Sequence, residues 1–436
     1  MTAAYWQTGL SRGATGAIVS LLLVAGLPGR SGASSSSPPN GWSAQEPNGV
    51  GTLFGVSCAD SAHCWAVGRA PSSPAGIIVA SSDLGTTWHQ QSAPPSAGTL
   101  AGVSCPDTNH CVAVGDSASG GGAIVTTSNS GAAWTQSAIP SGISKLAGVS
   151  CPVASTCVAV GESTSGGAVA LSTTDGGVTW LADAIGQAVL LNAVSCPDST
   201  HCWAAGGGGF TGTVVASADG GATWTIQLSG VGNQVSSFDG IRCLSTSTCV
   251  AVGTLEFAPA AYTTVDGGLS WHPAALPGVS IANGVDCPSF DRCYGVGLVD
   301  SSAAVAIGAA SDTTWHGTSL PHQGGSLNAV SCPTRLECVA VGQGVGDSAL
   351  VMSTVSGGSF PGYWLVGSDG GVFNFGVAAF LGSAAGSPRS AVVGILAPDG
   401  GGYWLVTAAG EVFPFGDAPS LGSLAIAPSR PVVGAS

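Results

Sequence analysis

The chain has 436 residues, a formal net charge of −14 and a single lysine, Lys145. So acidic a surface repels phosphates and excludes nucleic-acid binding. Charged residues are only 7% and hydrophobic residues 44%, which excludes a disordered chain despite 69 glycines.

Residues 1–33 read as an export signal. Arg12 gives the positive start, Ala17–Leu27 is an apolar core of eleven residues, and Ser31-Gly32-Ala33 supplies small residues. The core is short for a membrane span; an uncleaved anchor is the alternative. Either reading places the rest outside the cytoplasm. Residues 34–41 are a Ser/Pro-rich linker.

A unit then recurs, seen most clearly from Leu191 to Ile226. Leu191–Cys196 is an apolar run, Pro-Asp-Ser-Thr-His a turn, and Cys202–Ala205 a second run. Thr213–Ser217 is a third, rich in β-branched residues. A turn at Asp219-Gly220-Gly221 leads to Thr223–Ile226. All fourteen cysteines fall in pairs six apart: Cys58/Cys64, Cys105/Cys111, Cys151/Cys157, Cys196/Cys202, Cys243/Cys249, Cys287/Cys293 and Cys332/Cys338. Successive pairs start 44 to 47 residues apart, and Trp88, Trp134, Trp180, Trp224, Trp271 and Trp315 keep the same beat. A four-stranded unit at this period predicts a β-propeller, whose blades must stack to bury their faces.

Two strands joined by a five-residue turn can set their flanking cysteines opposite each other, within disulfide reach. Zinc would need closer pairs. His63, His110 and His201 precede the second cysteine in three copies, but Thr156, Thr248, Arg292 and Glu337 fill that slot elsewhere. Seven disulfides, no metal and no cofactor are therefore expected, and disulfides agree with an oxidising compartment.

Trp42 lies 46 residues before Trp88 but follows no cysteine pair. It reads as a fourth strand lacking the first three. Val330–Thr354 supplies three strands, and the turn Ser353–Phe360 then ends without a tryptophan. The two pieces complete one blade, so the N-terminal strand closes the ring and gives seven blades, leaving no open edge. Residues 42–360 form this domain.

The turn between third and fourth strands reads Ser/Thr-x-Asp-x-Gly-x-x-Trp, with Asp83, Asn129, Asp175, Asp219 and Asp266 in the acidic place. It decays at Ala310–Trp315, and Val355 replaces the acid in the seventh copy. Short polar side chains there bond the turn's own amides, so these residues are expected to be structural.

These turns resemble the Asp-box, or bacterial neuraminidase repeat. The whole unit is similar to seven-bladed propellers of the photosystem II stability/assembly factor type and to the sialidase-like propellers. The resemblance implies fold; its members include glycoside hydrolases, receptors and non-enzymatic assembly factors. Sialidases would imply three arginines, a Tyr–Glu pair and an Asp acid. The ring holds only Arg69, Arg242, Arg292 and Arg335, its tyrosines Tyr262 and Tyr294 fall inside strands, and Arg-Ile-Pro is absent. No catalytic role carries over. The basic patch of the assembly factors is absent too.

If Val-Ser-Cys belongs to the innermost strand, cysteine turns and acidic turns share one face. The second-to-third and fourth-to-first loops share the other, the axial face. Asp116, Glu162, Glu256, Asp300 and Asp347, with Phe210 and Phe257, fall in those loops. They are the candidate binding residues, suited to a cationic partner or sugar hydroxyls; a solubilising rim is the alternative.

Residues 361–436 change period. Gly362-Tyr363-Trp364-Leu365-Val366 returns as Gly402-Tyr403-Trp404-Leu405-Val406, and Pro431-Val432-Val433-Gly434 matches Ala391-Val392-Val393-Gly394. The repeats resemble those of secreted actinobacterial proteins. Two copies cannot close a ring, so an incomplete array is expected. Docking on the propeller, pairing with another chain and lack of order all stay open.

Three functions remain. One is a secreted or cell-surface, non-enzymatic and monomeric propeller that binds a protein or glycan. The others are an Asp-box glycoside hydrolase and an extracytoplasmic assembly factor for a membrane complex.

Overall fold

The computed structural model describes residues 41–185, 190–208, 211–229, 235–255, 258–318, 320, 324–354, 363–375, 380–397, 402–416, 418–424 and 428–433. The expected export segment, Phe210, Glu256, Phe257 and Val355 lie outside them. The described residues contain strands and turns and no helix.

Seven four-stranded antiparallel sheets form the blades of a β-propeller. In the first blade Leu53–Cys58, Cys64–Arg69, Gly76–Ser81 and His89–Gln91 pair in chain order. The second strand is apolar throughout, and Cys64, Trp65, Ala66 and Val67 are all buried. Such a run marks a strand covered on both faces. The last strand, His-Gln-Gln, is polar and forms the outer edge.

The first strands of the other blades are Ala97–Ser104, Ile143–Val153, Leu191–Ser195, Val235–Cys243, Ile281–Ser289 and Ser326–Ser331. Each touches the first strand of the next blade, and the last touches Leu53–Cys58. These strands are the inner wall. Apolar clusters fill the seams between blades: Trp65, Val67 and Ile78 of the first blade pack with Leu100, Val103 and Ala113 of the second.

The N-terminal strand closes the ring. Trp42–Gln45 pairs with Ala349–Thr354 in the order Trp42 to Thr354 through Gln45 to Val351. Trp42 is 2% exposed and meets Tyr294 of the sixth blade edge to face, with centroids 6.3 Å apart. Such pairing adds to burial. Arg69 of the first blade also forks onto Asp347 of the seventh, at 2.6 and 3.1 Å.

All seven disulfides close within their own blades, with Cα separations of 3.9 to 4.2 Å. They join Cys58 to Cys64, Cys105 to Cys111, Cys151 to Cys157 and Cys196 to Cys202 in the first four blades. Cys243–Cys249, Cys287–Cys293 and Cys332–Cys338 follow in the last three. Cys243 and Cys249 stand directly opposite each other in the ladder, as the turn length predicts. Cys58 and Cys64 pair likewise, but the other five bridges are not register pairs of the ladder; in the seventh blade the second strand begins only at Val339. There the Cys338 amide turns to the Thr354 hydroxyl, at 2.7 Å. A loop this short gives each bridge about 2 kcal/mol in the chain-entropy picture.

In six blades the cysteine turn also accepts an amide from the turn between third and fourth strands, as in Leu84 N–H to Ala62 O at 2.9 Å and Gly220 N–H to Thr200 O at 2.8 Å. The two kinds of turn therefore share a face. On the opposite face the remaining loops meet, as in Ala118 N–H to Ser96 O and Thr164 N–H to Gly142 O.

The serines of Val-Ser-Cys link blade to blade. Ser57 Oγ accepts the amide of Cys105, Ser104 that of Cys151, Ser150 that of Cys196, and Ser195 that of Cys243, at 2.9 to 3.0 Å. Ser331 accepts the amide of Cys58 at 3.0 Å and completes the belt.

The second unit holds the strands from Tyr363–Val366 to Val412–Gly416. Among the described residues Tyr363–Val366 pairs with Val372–Phe375, and Val392–Leu396, Gly402–Thr407 and Val412–Gly416 make a three-stranded sheet.

Candidate functional site: the axial mouth

Every first strand has a break in register at one place. It falls between Leu53 and Gly55, Leu100 and Gly102, Leu146 and Gly148, Leu191 and Ala193, Phe238 and Gly240, Ala282 and Gly284, and Leu327 and Ala329. The skipped residue is a bulge, which leaves the ladder and re-aims its side chain. The seven skipped residues are Phe54, Ala101, Ala147, Asn192, Asp239, Asn283 and Asn328, and all are part-exposed, each directly after a buried residue. On an inner wall that part-exposure opens to the axis, near the loops opposite the disulfides.

The bulge fits because the following residue is small. A Cβ on Gly55 would stand 3.0 Å from Ala101 O and from the Gly102 Cα of the next blade. Gly148 meets Asn192 O in the same way, at 3.0 Å. The inner strands approach too closely there for larger side chains.

The mouth has two unlike halves. Blades one to three offer Phe54, Ala101 and Ala147. Blades four to seven offer three carboxamides and a carboxylate. Asn192 Nδ2 donates to Phe238 O at 2.9 Å, Asn283 to Leu327 O at 2.8 Å and Asn328 to Leu53 O at 2.8 Å. Each amide is thus clamped by its nitrogen to the next blade. Asp239 cannot donate in this way as a carboxylate. It accepts from Asn192 Nδ2 and Ser237 Oγ, each at 3.2 Å. Burial pushes its carboxyl up, and those two hydrogen bonds only partly offset the rise.

The acidic residues expected from the sequence stand in separate settings. Glu162 lies opposite Lys145 in register, with its carboxylate 3.6 Å from Nζ. Asp116, on the neighbouring blade, is raised by loss of surrounding water while the Lys145 charge pulls it down. Asp347 accepts from Ser72 N–H, Thr52 and Arg69, which together hold its carboxyl low. Asp300 and Ser301 form a two-residue hairpin turn, with φ of 46° and 65°. Three of these four carboxylates interact with a cation of the protein itself, Glu162 and Asp116 with Lys145 and Asp347 with Arg69.

The remaining sequence candidates sit on the other face. In the acidic turns Ser81 Oγ donates to Asp83 Oδ1 at 2.8 Å, and Asp83 accepts Thr87 N–H at 2.8 Å and Thr87 Oγ1 at 2.7 Å. Asp175, Asp219 and Asp266 repeat this, and Asn129 keeps the amide contact, from Ala133 at 3.0 Å. The Trp88, Trp180 and Trp224 indoles donate to the turn carbonyls of Gly85, Gly177 and Gly221. His63, His110 and His201 each place Nδ1 about 3.0 Å from Asp60, Asp107 and Asp198. Among the described residues no cluster of three His, Cys, Asp or Glu could hold a metal.

A cavity of about 560 Å³ opens on this second face between blades two and three, lined by His110, Val112, Asn129, Ser155, Asp175 and Val178 among others. Val112 follows Cys111 where Trp65, Trp203 and Tyr294 fill the seams of other blades. Cys111, Cys151 and Cys157 reach its wall. Cys249, Cys293 and Cys338 lie in other blades, each fully buried in a seam cluster.

Sequence reasoning missed the bulge residues. Their signal was the place x in Leu-x-Gly/Ala-Val-Ser-Cys, which changes character while its neighbours hold in five of the seven copies.

The chain matches no known protein family, and no curated protein matches it in sequence. Solved structures share its shape. A structure of YCF48 bound to D1 peptide is 14% identical over 73% of this chain and 97% of its own, with a TM-score of 0.56. YCF48 from Cyanidioschyzon merolae is 12% identical over 71% and 98%, with a TM-score of 0.54. The WD40 propeller of Doa1 is 11% identical over 72% and 95%, with a TM-score of 0.51. At such identities the likeness is one of fold.

Proposed function

We propose that the chain is a secreted or cell-surface propeller that binds a protein or glycan partner at its axial mouth, without catalysis. The observation that carries this is the two-sided ring of bulge residues. Phe54 with two alanines gives an apolar arc, and Asn192, Asp239, Asn283 and Asn328 give an acceptor arc. A partner with an apolar side and a donor-rich or cationic side is oriented by such a ring, as small sites orient ligands with a few polar groups. Asp239 supports the reading further. A half-buried carboxylate whose charge the surroundings disfavour costs stability, and its retention is explained by a partner that neutralises it. The acidic turns fit the Asp-box repeat, and the fold is shared with a propeller whose structure holds a D1 peptide. Seven disulfides fit an oxidising compartment.

A glycosidase needs two facing carboxylates roughly 5–10 Å apart. The other six bulge places hold phenylalanine, alanine or asparagine, so the ring itself supplies only Asp239.

The test is a glycan array and a pull-down from surface and detergent-solubilised membrane extract, using the full chain and the variants Asp239→Asn, Ala147→Trp and Val178→Asp. A partner held by the wild type and by Val178→Asp, and lost about tenfold or more in the two mouth variants, is the expected result. Loss confined to Val178→Asp would move the site to the disulfide face. Turnover of a polysaccharide would overturn the non-enzymatic reading, and recovery of a membrane complex would favour the assembly-factor role.

A further inference from the structure

Three seams of the propeller hold an aromatic ring where another holds valine. Trp65 follows Cys64 and shares a packed cluster with Cys105, Cys111 and Trp134 of the second blade. Trp203 follows Cys202 and does the same with Cys243, Cys249 and Trp271 of the fifth. Tyr294 follows Cys293 and joins Cys332 and Cys338 of the seventh. Each ring thus stands in the seam with the disulfide of the next blade. Between blades two and three the same place holds Val112, clustered with Cys151, Cys157 and Trp180. The cavity of about 560 Å³ opens there, with Val112, Cys151 and Cys157 in its wall.

Valine by itself does not open a seam. Val158, Val250 and Val339 occupy the same place in three others, and there the next blade closes over them. A Cβ on Gly221 would stand 2.9 Å from Val158, and one on Gly85 3.1 Å from Val339. Trp315, fully buried, joins the cluster of Val250. In the open seam the matching turn glycine, Gly177, lies against Thr126 instead, where a Cβ would stand 3.0 Å from the threonine methyl. Val112 keeps 5% exposure, against 1% for Val158 and 0% for Val250 and Val339.

The lip of the cavity is apolar too. The cysteine turns of the first, second and fourth blades each carry an Asp–His pair, such as Asp107 and His110. The third carries Val153 and Thr156 in those places, and Val153 is 46% exposed. In the acidic turn of the same blade, Val178 lines the cavity and is 72% exposed.

We infer that this cleft takes an aromatic side chain, tryptophan or tyrosine, presented by a protein partner. The fold itself shows the fit, since Trp65, Trp203 and Tyr294 fill the same place in their own seams. The volume falls within the roughly 300–1,000 Å³ of ligand sites, so a ring enters with the backbone that carries it. Burial of the ring and its contact with the Cys151–Cys157 sulfurs drive binding. Val153 and Val178 extend the apolar surface beyond the ring, which suits a protein more than a free small molecule. The cleft lies on the disulfide face, opposite the axial mouth, and is a second site.

The test titrates N-acetyl-tryptophanamide and N-acetyl-leucinamide against the full chain by ligand-observed NMR, which reads affinities as weak as about 1 mM. The aromatic amide should bind, and the aliphatic one about tenfold more weakly or less. Val112→Trp supplies the ring from within and should abolish binding. Val178→Asp, on the exposed lip, should weaken it about tenfold and keeps the test intact should Val112→Trp fail to fold. Leu269→Asp, the same change in the fifth blade's turn, should leave it unchanged. A random peptide library selected on the wild type and counter-selected on Val178→Asp should return sequences that share tryptophan or tyrosine. An aromatic amide that fails to bind, binds no better than the aliphatic one, or binds Val178→Asp in full would overturn the inference. Amide binding with no peptide selected would overturn the protein partner in favour of a free aromatic molecule. None of these variants touches the bulge ring, so the two sites stand or fail separately.

Discussion

Arg242 Nε donates to Asp286 Oδ1 at 3.0 Å, and this pair stands in the belt where five other blades place a serine. Arginine has no acceptor, so it cannot take the amide of Cys287. Asp286 takes that amide itself at 2.8 Å, and its second oxygen takes the amide of Cys332 at 2.6 Å. One exchange of two side chains thus preserves the links among blades five, six and seven.

Removing Asp286 alone should therefore be costly. Asp286→Ala leaves two buried amides without acceptors and Arg242 without its partner, a loss of about 2–4 kcal/mol. The double change Arg242→Ser with Asp286→Ser restores the pattern of the other blades and should fall within about 1 kcal/mol of wild type. Urea unfolding of the single and double variants checks this. Equal losses in both would mean the belt does not carry the effect.

Asp239 gives a prediction of opposite sign. Its carboxyl is raised by burial, so ionisation costs the folded state stability, and the cost appears as pH rises through the folded pKa. Asp239→Asn removes that cost and offers an amide like those of Asn192, Asn283 and Asn328. It should stabilise the propeller by about 1 kcal/mol at pH 7, and the gain should vanish in acid. A gain over wild type no larger at pH 7 than at pH 3 would show that Asp239 is not strained.

The acidic turns set the acid limit. Hydrogen bonds from the Thr179 hydroxyl and amide, then from Thr173, lower Asp175 to about 2, and Ser270 and Thr264 do the same for Asp266, also to about 2. Asp219 is lowered likewise. At Asp83 burial works upward, but the Thr87 and Ser81 hydrogen bonds outweigh it. Depressed carboxyls stabilise the fold above their unfolded pKa near ~3.9, and that contribution is lost as pH falls from there through about 2. The midpoint of denaturant unfolding should hold down to about pH 4 and fall steeply toward pH 2. Asn129 already occupies one such turn, so Asp→Asn changes at the other four should flatten the acid limb. An unchanged limb would assign acid sensitivity elsewhere.

Trp42 tests closure of the ring. Trp42→Ala empties a fully buried seam against Tyr294 and should cost about 3–5 kcal/mol, with the strand Trp42–Gln45 exchanging its amides early. Arg69→Ala removes a part-exposed pair and should cost less. Amide exchange that opens the first and last blades together in Trp42→Ala, and leaves the middle blades protected, would place the weak point at the seam.

Much of this was written in the chain by itself. Cysteines six apart, a tryptophan on the same beat and a strand at Trp42 with no companions determine seven blades and their closure, because local spacing fixes strands and turns and a stacked repeat must end against its own beginning. What only the tertiary structure decided is where the varying residues point. Phe54, Ala147 and Asp239 look like interior strand positions in sequence. Each inner strand bulges there, beside a small residue where a Cβ on Gly55, Gly148 or Gly240 would stand 3.0 Å from the next blade's backbone. The role of Asp286 is equally invisible in the sequence, since its partner Cys332 lies 46 residues away, in the next blade. Contacts between blades, made across the ring, carry the information that no local pattern holds.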